Sequence, residues 1–194
     1  MKKPSNWDNV KPLTERRQLP KGGYICKIMD AVERTYQSRD GREFSKFEIS
    51  VDIVDGMYKG FFAEDYRGQT YEDKKWRGVL RVYIPTDDGS EKDEYTLRRL
   101  RTITNAIEDS NPGYHWDWDV KSLKDKQVGA IFRNEEWEYQ GKKGFSTQCS
   151  TFTGIDKIRS GDFTIPKDRL LTQSIWSKGY TPVDTASDDD DLPF

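Results

Sequence analysis

FSKFEISVDIV, residues 44–54, decides the fold. Phe47, Ile49, Val51 and Ile53 alternate with Lys46, Glu48, Ser50 and Asp52, the two-residue period of a strand with one buried face. Upstream, YICKIMDAVERTYQ (24–37) is long enough for a curved strand, and SRDGRE (38–43) between the two carries an Asp40-Gly41 turn signal. A hairpin is therefore expected over 24–54.

Working outward, a turn at Asp55-Gly56 leads to an expected third short strand around Phe61 to Tyr66, followed by a basic, aromatic loop. GVLRVYIP (78–85) reads as a strand closed by Pro85. The period then changes: Leu97, Leu100, Ile103, Thr104 and Ile107 fall at helical spacing, Ser90 to Asp93 supply a capping signal, and SNPG (110–113) stops the helix. GYHWDWDVKSLKDK (113–126) connects to a second hairpin, VGAIFRNEEWEY (128–139) and FSTQCSTFTGI (145–155) across QGKKG (140–144). IRSGDFTIPKDRLL (158–171) is expected to pack on or cap the domain.

The inventory is mainly β with one helix, and roughly five strands plus a helix fit an OB-fold-like five-stranded barrel. Small sandwiches and SH3-like barrels use similar parts, and fold alone does not establish function. Three regions are expected: an N-terminal arm over 1–20, with prolines at 4, 12 and 20, a domain over 21–173, and a flexible acidic tail over 174–194.

Charge divides the chain in the same way. It holds 32 Lys and Arg against 34 Asp and Glu, and five of those aspartates lie in 184–194, which leaves residues 1–183 with 32 bases against 29 acids, a balance of +3. A mildly basic body with an acidic end points toward a nucleic-acid partner. The 13% aromatic content argues against a disordered chain. Cys26 and Cys149 are too few and too far apart for a zinc site or a disulfide framework. With no membrane-length apolar run and no signal-peptide stretch, a cytoplasmic location is expected, with no membrane partner.

Single strands are held by cations tracking phosphates together with rings on which bases stack, and the sequence interleaves the two three times. The first hairpin carries Arg34, Tyr36, Arg39, Arg42, Phe44 and Lys46 near its turn. The middle segment carries Tyr58, Lys59, Phe62, Tyr66, Arg67, Tyr71, Lys74, Lys75, Trp76 and Arg77, with one of Phe61 and Phe62 required to face inward if that segment is extended. The second hairpin adds Arg133, Trp137, Tyr139, Lys142 and Lys143. For any one of these, core packing or ordinary surface solubility explains the residue equally well; the recurrence is what favours nucleic acid. Arg98, Arg99 and Arg101 read as a solvated helix surface.

Catalysis has little support. His115 is the only histidine, no Gly-x-Ser-x-Gly or Cys-His pairing frames a nucleophile, and GKKG (141–144) lacks phosphate-loop spacing. His115, Asp117 and Asp119 alternate on a connecting segment whose Trp116 and Trp118 read as anchors. No cofactor and no enzymatic activity are expected.

The chain closes on SDDDDLPF, residues 187–194. A purely solubilising acidic end accounts for Asp188, Asp189, Asp190 and Asp191 but not for the Leu192, Pro193 and Phe194 that follow. A terminal Phe offers apolar burial, Pro193 lowers the ordering cost, and a carboxylate is captured in basic or backbone nests. These residues resemble the acidic tip of bacterial single-stranded DNA-binding proteins, which implies recruitment of replication and repair proteins. The body resembles phage replication-module proteins of the OB-fold type, through GGYICKI (22–28), IEDSNPG (107–113) and VGAIFRNEEWEYQGKKGF (128–145). Together they imply a phage or prophage protein, located in the cytoplasm of a bacterial host cell, that binds single-stranded DNA without sequence preference and takes part in replication, recombination or repair. The preference for DNA or RNA and association with further copies of itself are left open. Two alternatives remain at this stage: an adaptor that uses the tip without binding DNA, and a metal-dependent nuclease.

Overall fold

The computed structural model describes residues 2–5, 7–9, 17–38, 41 and 43–171. The hairpin read from FSKFEISVDIV forms as β1 (Gly22–Gln37) and β2 (Glu43–Ile53), antiparallel from Cys26↔Ile53 to Gln37↔Glu43. β3 (Val79–Tyr83) adds to the far side of β2, from Lys46↔Tyr83 to Ser50↔Val79. β4 (Gln127–Tyr139) pairs with the first part of β1, from Gly22↔Phe132 to Lys27↔Gln127, and β5 (Lys142–Thr153) pairs with β4. The result is a mainly β fold with one five-stranded antiparallel sheet in the order β3-β2-β1-β4-β5. Among the described residues no ladder joins β3 to β5, so the hydrogen-bonded order is open, although the two strands approach each other.

One long strand serves two partners because of a bulge. The β1–β2 register shifts between Ile28 and Asp30, and an inserted residue bends a strand and raises its twist. The Ile28 N–H reaches Lys126 O at 2.8 Å and Asp125 N–H reaches Ile28 O at 2.9 Å, where the β4 ladder ends.

The helix expected after β3 is α2 (Glu91–Ser110), begun by the Ser90 hydroxyl accepting from Asp93 N–H. Leu100, Ile103, Ala106 and Ile107 are buried against the strands, but Thr96 takes the inward position while Leu97 is exposed. Arg98 pairs with Glu94 on the outer surface. The core gathers Phe47, Ile49, Val51 and Ile53 of β2, Leu80 and Val82 of β3, Val128, Ala130 and Phe132 of β4 and Phe152 of β5 beneath that helix.

The expected strand around Phe61 to Tyr66 is instead a helix, α1 (Phe61–Gly68). Gly60 precedes it in the left-handed region (φ 74°) and offers no side-chain cap. The cap comes from Asp52 on β2, whose carboxylate accepts from Phe62 N–H at 3.0 Å and from Ile53 N–H at 2.9 Å. Burial pushes the Asp52 carboxyl up from its ordinary value, against the pull of those N–H donors.

The turn of the second hairpin is shorter than QGKKG. Gln140 (φ 49°) and Gly141 (φ 75°) form a two-residue connection with both positions left-handed, the geometry that matches strand twist. Downstream, α3 (Ile155–Ser160) and Phe163 lie on two glycines. A Cβ on Gly23 would stand 2.6 Å from Ile158 and 2.7 Å from Phe163, and one on Gly129 would stand 2.6 Å from Ile158. The 158–171 segment thus packs on β1 and β4 and then straps β4: Arg169 N–H donates to Asn134 O and Glu136 N–H to Arg169 O. Leu19, within the expected arm, is also in the core. No helix among the described residues is long and apolar enough to cross a membrane.

Candidate nucleic-acid interface

Alternation along β2 sends Phe44, Lys46 and Glu48 to the face opposite Phe47, Ile49 and Val51. The register then decides their neighbours: Tyr36 stands across from Phe44, Arg34 and Tyr83 flank Lys46 on either side, and Arg81 stands across from Glu48. Tyr36 and Phe44 stack with centroids 5.6 Å apart at 16°, and Phe44 meets Tyr83 at 5.6 Å and 52°. The Lys46 ammonium lies 4.9 Å from the Tyr83 centroid, 5.5 Å from Phe44 and 5.7 Å from Tyr36. Lys46 is only 2% exposed. The Lys92 ammonium approaches Tyr83 from α2 at 5.8 Å.

Glu48 organises the other end of this face. Its carboxylate accepts from Tyr36 O–H at 2.6 Å and Arg81 Nε at 3.1 Å, and pairs with Arg34 Nε at 3.2 Å. Burial works to raise the Glu48 carboxyl, but the hydroxyl and the two guanidiniums outweigh it and hold the group below its ordinary value. Burial, followed by the bond to Glu48, raises the Tyr36 phenol.

The β4–β5 tip presents a second aromatic surface. Trp137 lies across Gly144, where a Cβ would stand 2.7 Å from its ring, and Tyr139 is opposite Lys142. Trp137 is 42% exposed and Tyr139 68%, with Phe145 exposed nearby on the same hairpin. Lys143 pairs with Glu138 at 3.1 Å. Arg133 is buried and bonds Glu135 through Nε at 3.2 Å and Nη2 at 3.1 Å.

The middle segment is organised inward. Phe62 is 3% exposed, stacked on Phe132 at 5.6 Å and edge-on to Phe61 at 5.3 Å; as a core residue it has no surface on which a base can stack. Tyr58 packs edge-on against Tyr24 and Phe61, and Trp76 donates Nε1–H to Val51 O at 3.0 Å. Arg77 is held by Tyr71 O–H oxygen at 2.6 Å and Asp65 at 3.5 Å, Lys75 pairs with Asp73 at 3.8 Å, and Arg67 Nε donates to Ala63 O at 3.1 Å. Tyr66 leans on Trp76 at 5.8 Å with the Lys74 ammonium 5.8 Å from its ring, and Lys59 is exposed. Most of the cations expected to meet phosphate here are tied to this segment's own carboxylates, carbonyls and phenols.

Arg39 and Arg42 lie outside the described residues, as do Asp188 to Phe194. Tyr83, Lys92 and Phe145 belong to the two ring-and-cation surfaces, Tyr83 half-buried and the other two exposed, although sequence reading passed over them. The signal for Tyr83 was its odd position in VLRVY, opposite in face to Leu80 and Val82.

His115 is exposed and 3.9 Å from Glu108, and Trp116 is anchored by Nε1–H to Asp119 O at 3.1 Å and by a stack on Phe47 at 5.9 Å. Trp118 leans on Trp116 at 4.7 Å but is largely exposed. Among the described residues no group of three or more His, Cys, Asp or Glu is placed to hold a metal ion. Compared with protein-family models and with curated proteins, the chain matches neither a family nor a relative.

Proposed function

We propose that the chain is a single-stranded nucleic-acid-binding protein built on an OB-like barrel. Three features of the fold support this: the β3-β2-β1-β4-β5 order, the bulged β1 shared between two ladders, and a helix between β3 and β4 that lies under the sheet while β3 approaches β5. The observation that carries the function is the ring face of Tyr36, Phe44 and Tyr83 around Lys46, on the side of β2 that the core does not use. Half-buried rings beside cations on a sheet surface suit unpaired bases of any sequence.

More particularly, we propose a phage or prophage single-stranded DNA-binding protein whose closing Asp188 to Phe194 recruits host replication and repair proteins, acting in the bacterial cytoplasm. Fluorescence titration of the intact chain with oligo-dT and oligo-rU tests this. Binding to dT is expected, weakened by about 1–3 kcal/mol in Phe44→Ala and retained or tightened when 188–194 are deleted, since that segment's charge competes with phosphate. Absence of dT binding at low salt overturns the reading and leaves a protein-binding adaptor.

A further inference from the structure

The ring face holds several cations, yet the position of the one at its centre, Lys46, argues against phosphate as its partner. Arg34 and Arg81 both reach the Glu48 carboxylate, at 3.2 and 3.1 Å. Lys46 is 2% exposed, with its ammonium directed among three rings. A phosphate oxygen reaching Lys46 would have to open the packing around its ammonium, in which Tyr36, Phe44 and Tyr83, the rings a base needs, take part. Cation–ring attraction is strongest where water is excluded, so this ammonium favours keeping the three rings in place.

On the reading that this face meets single-stranded DNA, we infer that its three-ring centre is a base platform without phosphate contacts, in which Lys46 is a positioning residue for Tyr36, Phe44 and Tyr83. Glu48 has the companion role: it fixes the Tyr36 ring through the hydroxyl and anchors Arg34 and Arg81 beside it through their Nε atoms. The ligand class at the three rings is therefore the unpaired base itself. Salt dependence of the whole protein comes from cations around and beyond them, such as Lys92, Lys142 and Lys59.

Salt slopes separate the two roles of a lysine. Losing one phosphate contact to a single strand lowers the slope of log K against log salt by about 0.7, whereas losing a ring clamp lowers affinity equally at every salt. The test is an oligo-dT titration of the intact chain, Lys46→Met and Phe44→Ala at four salt concentrations. It is repeated with a dT oligomer in which a central pair of linkages is neutral methylphosphonate, stepped along the strand.

For Lys46→Met the expected result is a loss on the order of tenfold with an unchanged slope. For Phe44→Ala it is about ten- to a hundredfold, also at constant slope and equal for both oligomers at the methylphosphonate position that wild type tolerates best. A slope reduced by about 0.7 in Lys46→Met, or no position at which neutral linkages are tolerated, overturns the inference while leaving DNA binding intact. If Lys46→Met does not fold, Phe44→Ala and the neutral-linkage series decide alone. A wild-type chain that does not bind dT refutes the parent reading instead.

Discussion

Phe62→Ala separates core from interface, because the sequence placed Phe62 among residues that meet DNA and the structure seats it 3% exposed. Its ring stacks on Phe132 at 5.6 Å and on the edge of Phe61 at 5.3 Å. The seat is tight enough that a Cβ on Gly78 would lie 2.5 Å from Phe62 Cδ2. Truncating a buried Phe to Ala costs about 3–5 kcal/mol. Helix α1 itself is not the source of that loss. The Asp52 cap is made to the backbone N–H of residue 62, which alanine retains, and alanine is the better helix former by about 0.5 kcal/mol. A net loss of about 2.5–4.5 kcal/mol remains, against a usual total of about 5–15 kcal/mol. For a chain of this size 1 kcal/mol moves Tm by about 2–4 °C, so the variant should melt roughly 5–18 °C lower by circular dichroism. Its dT affinity, measured at 10 °C on the folded protein, should stay within about twofold. An unchanged Tm with lost dT affinity would refute the burial argument and return Phe62 to the surface.

Three further outcomes follow from local geometry. Burial, and after it the neighbouring Tyr58, raises the Tyr24 phenol to about 12; the folded chain keeps a proton that the unfolded chain releases near 10, so stability is full below pH 10 and falls as pH rises toward 12. Urea midpoints should drop less between pH 10 and 11 in Tyr24→Phe than in wild type, and equal drops contradict the assignment. Trp76→Phe removes the bond to Val51 O and should cost about 1 kcal/mol by urea denaturation; a neutral effect would mean the indole is not pinned to β2. Gly144→Val places a Cβ where the Trp137 ring lies, so the indole swings into solvent and its emission, taken as the difference from a Trp137→Phe background, shifts red, while Tm changes little because the neighbour that yields is a partly exposed side chain.

The parts of the fold that could be read from the sequence are those whose causes are local. The alternation of Phe47 to Ile53 makes β2 a strand wherever its partners lie, and Ser90 caps α2 from three residues away. Helix α1 was hidden because its cap, Asp52, stands ten residues upstream on another element, while the Phe61-Phe62 pair reads as strand by propensity. The site divides in the same way. Tyr36, Phe44 and Lys46 could be found as ring and cation near one turn, but Tyr83 joins them only through the Lys46↔Tyr83 register. The cation–ring contacts of Lys46 need rings from three strands at once. Basic residues in the middle segment looked available because their partners, Asp65 for Arg77 and Ala63 O for Arg67, are contacts that only the folded loop and helix create.

The register of β2 is therefore the joint on which stability and binding both turn. A slip by one residue would send Lys46, Glu48 and Ser50 into the core and Phe47, Ile49 and Val51 to the ring face, since the side-chain period is two. The fully buried Ile49 and Val51 on one side and the Glu48 contacts to Tyr36, Arg34 and Arg81 on the other oppose such a slip independently. The bulge at Ile28 to Asp30 lets β1 hold that register with β2 while keeping its own with β4, so neither ladder has to compromise. On the proposed function, substitutions at even positions 44, 46 and 48 should act on ligand binding and those at odd positions 47, 49 and 51 on stability. Glu48 is the informative exception, because its bonds on the ring face also help to hold the register on which the core depends.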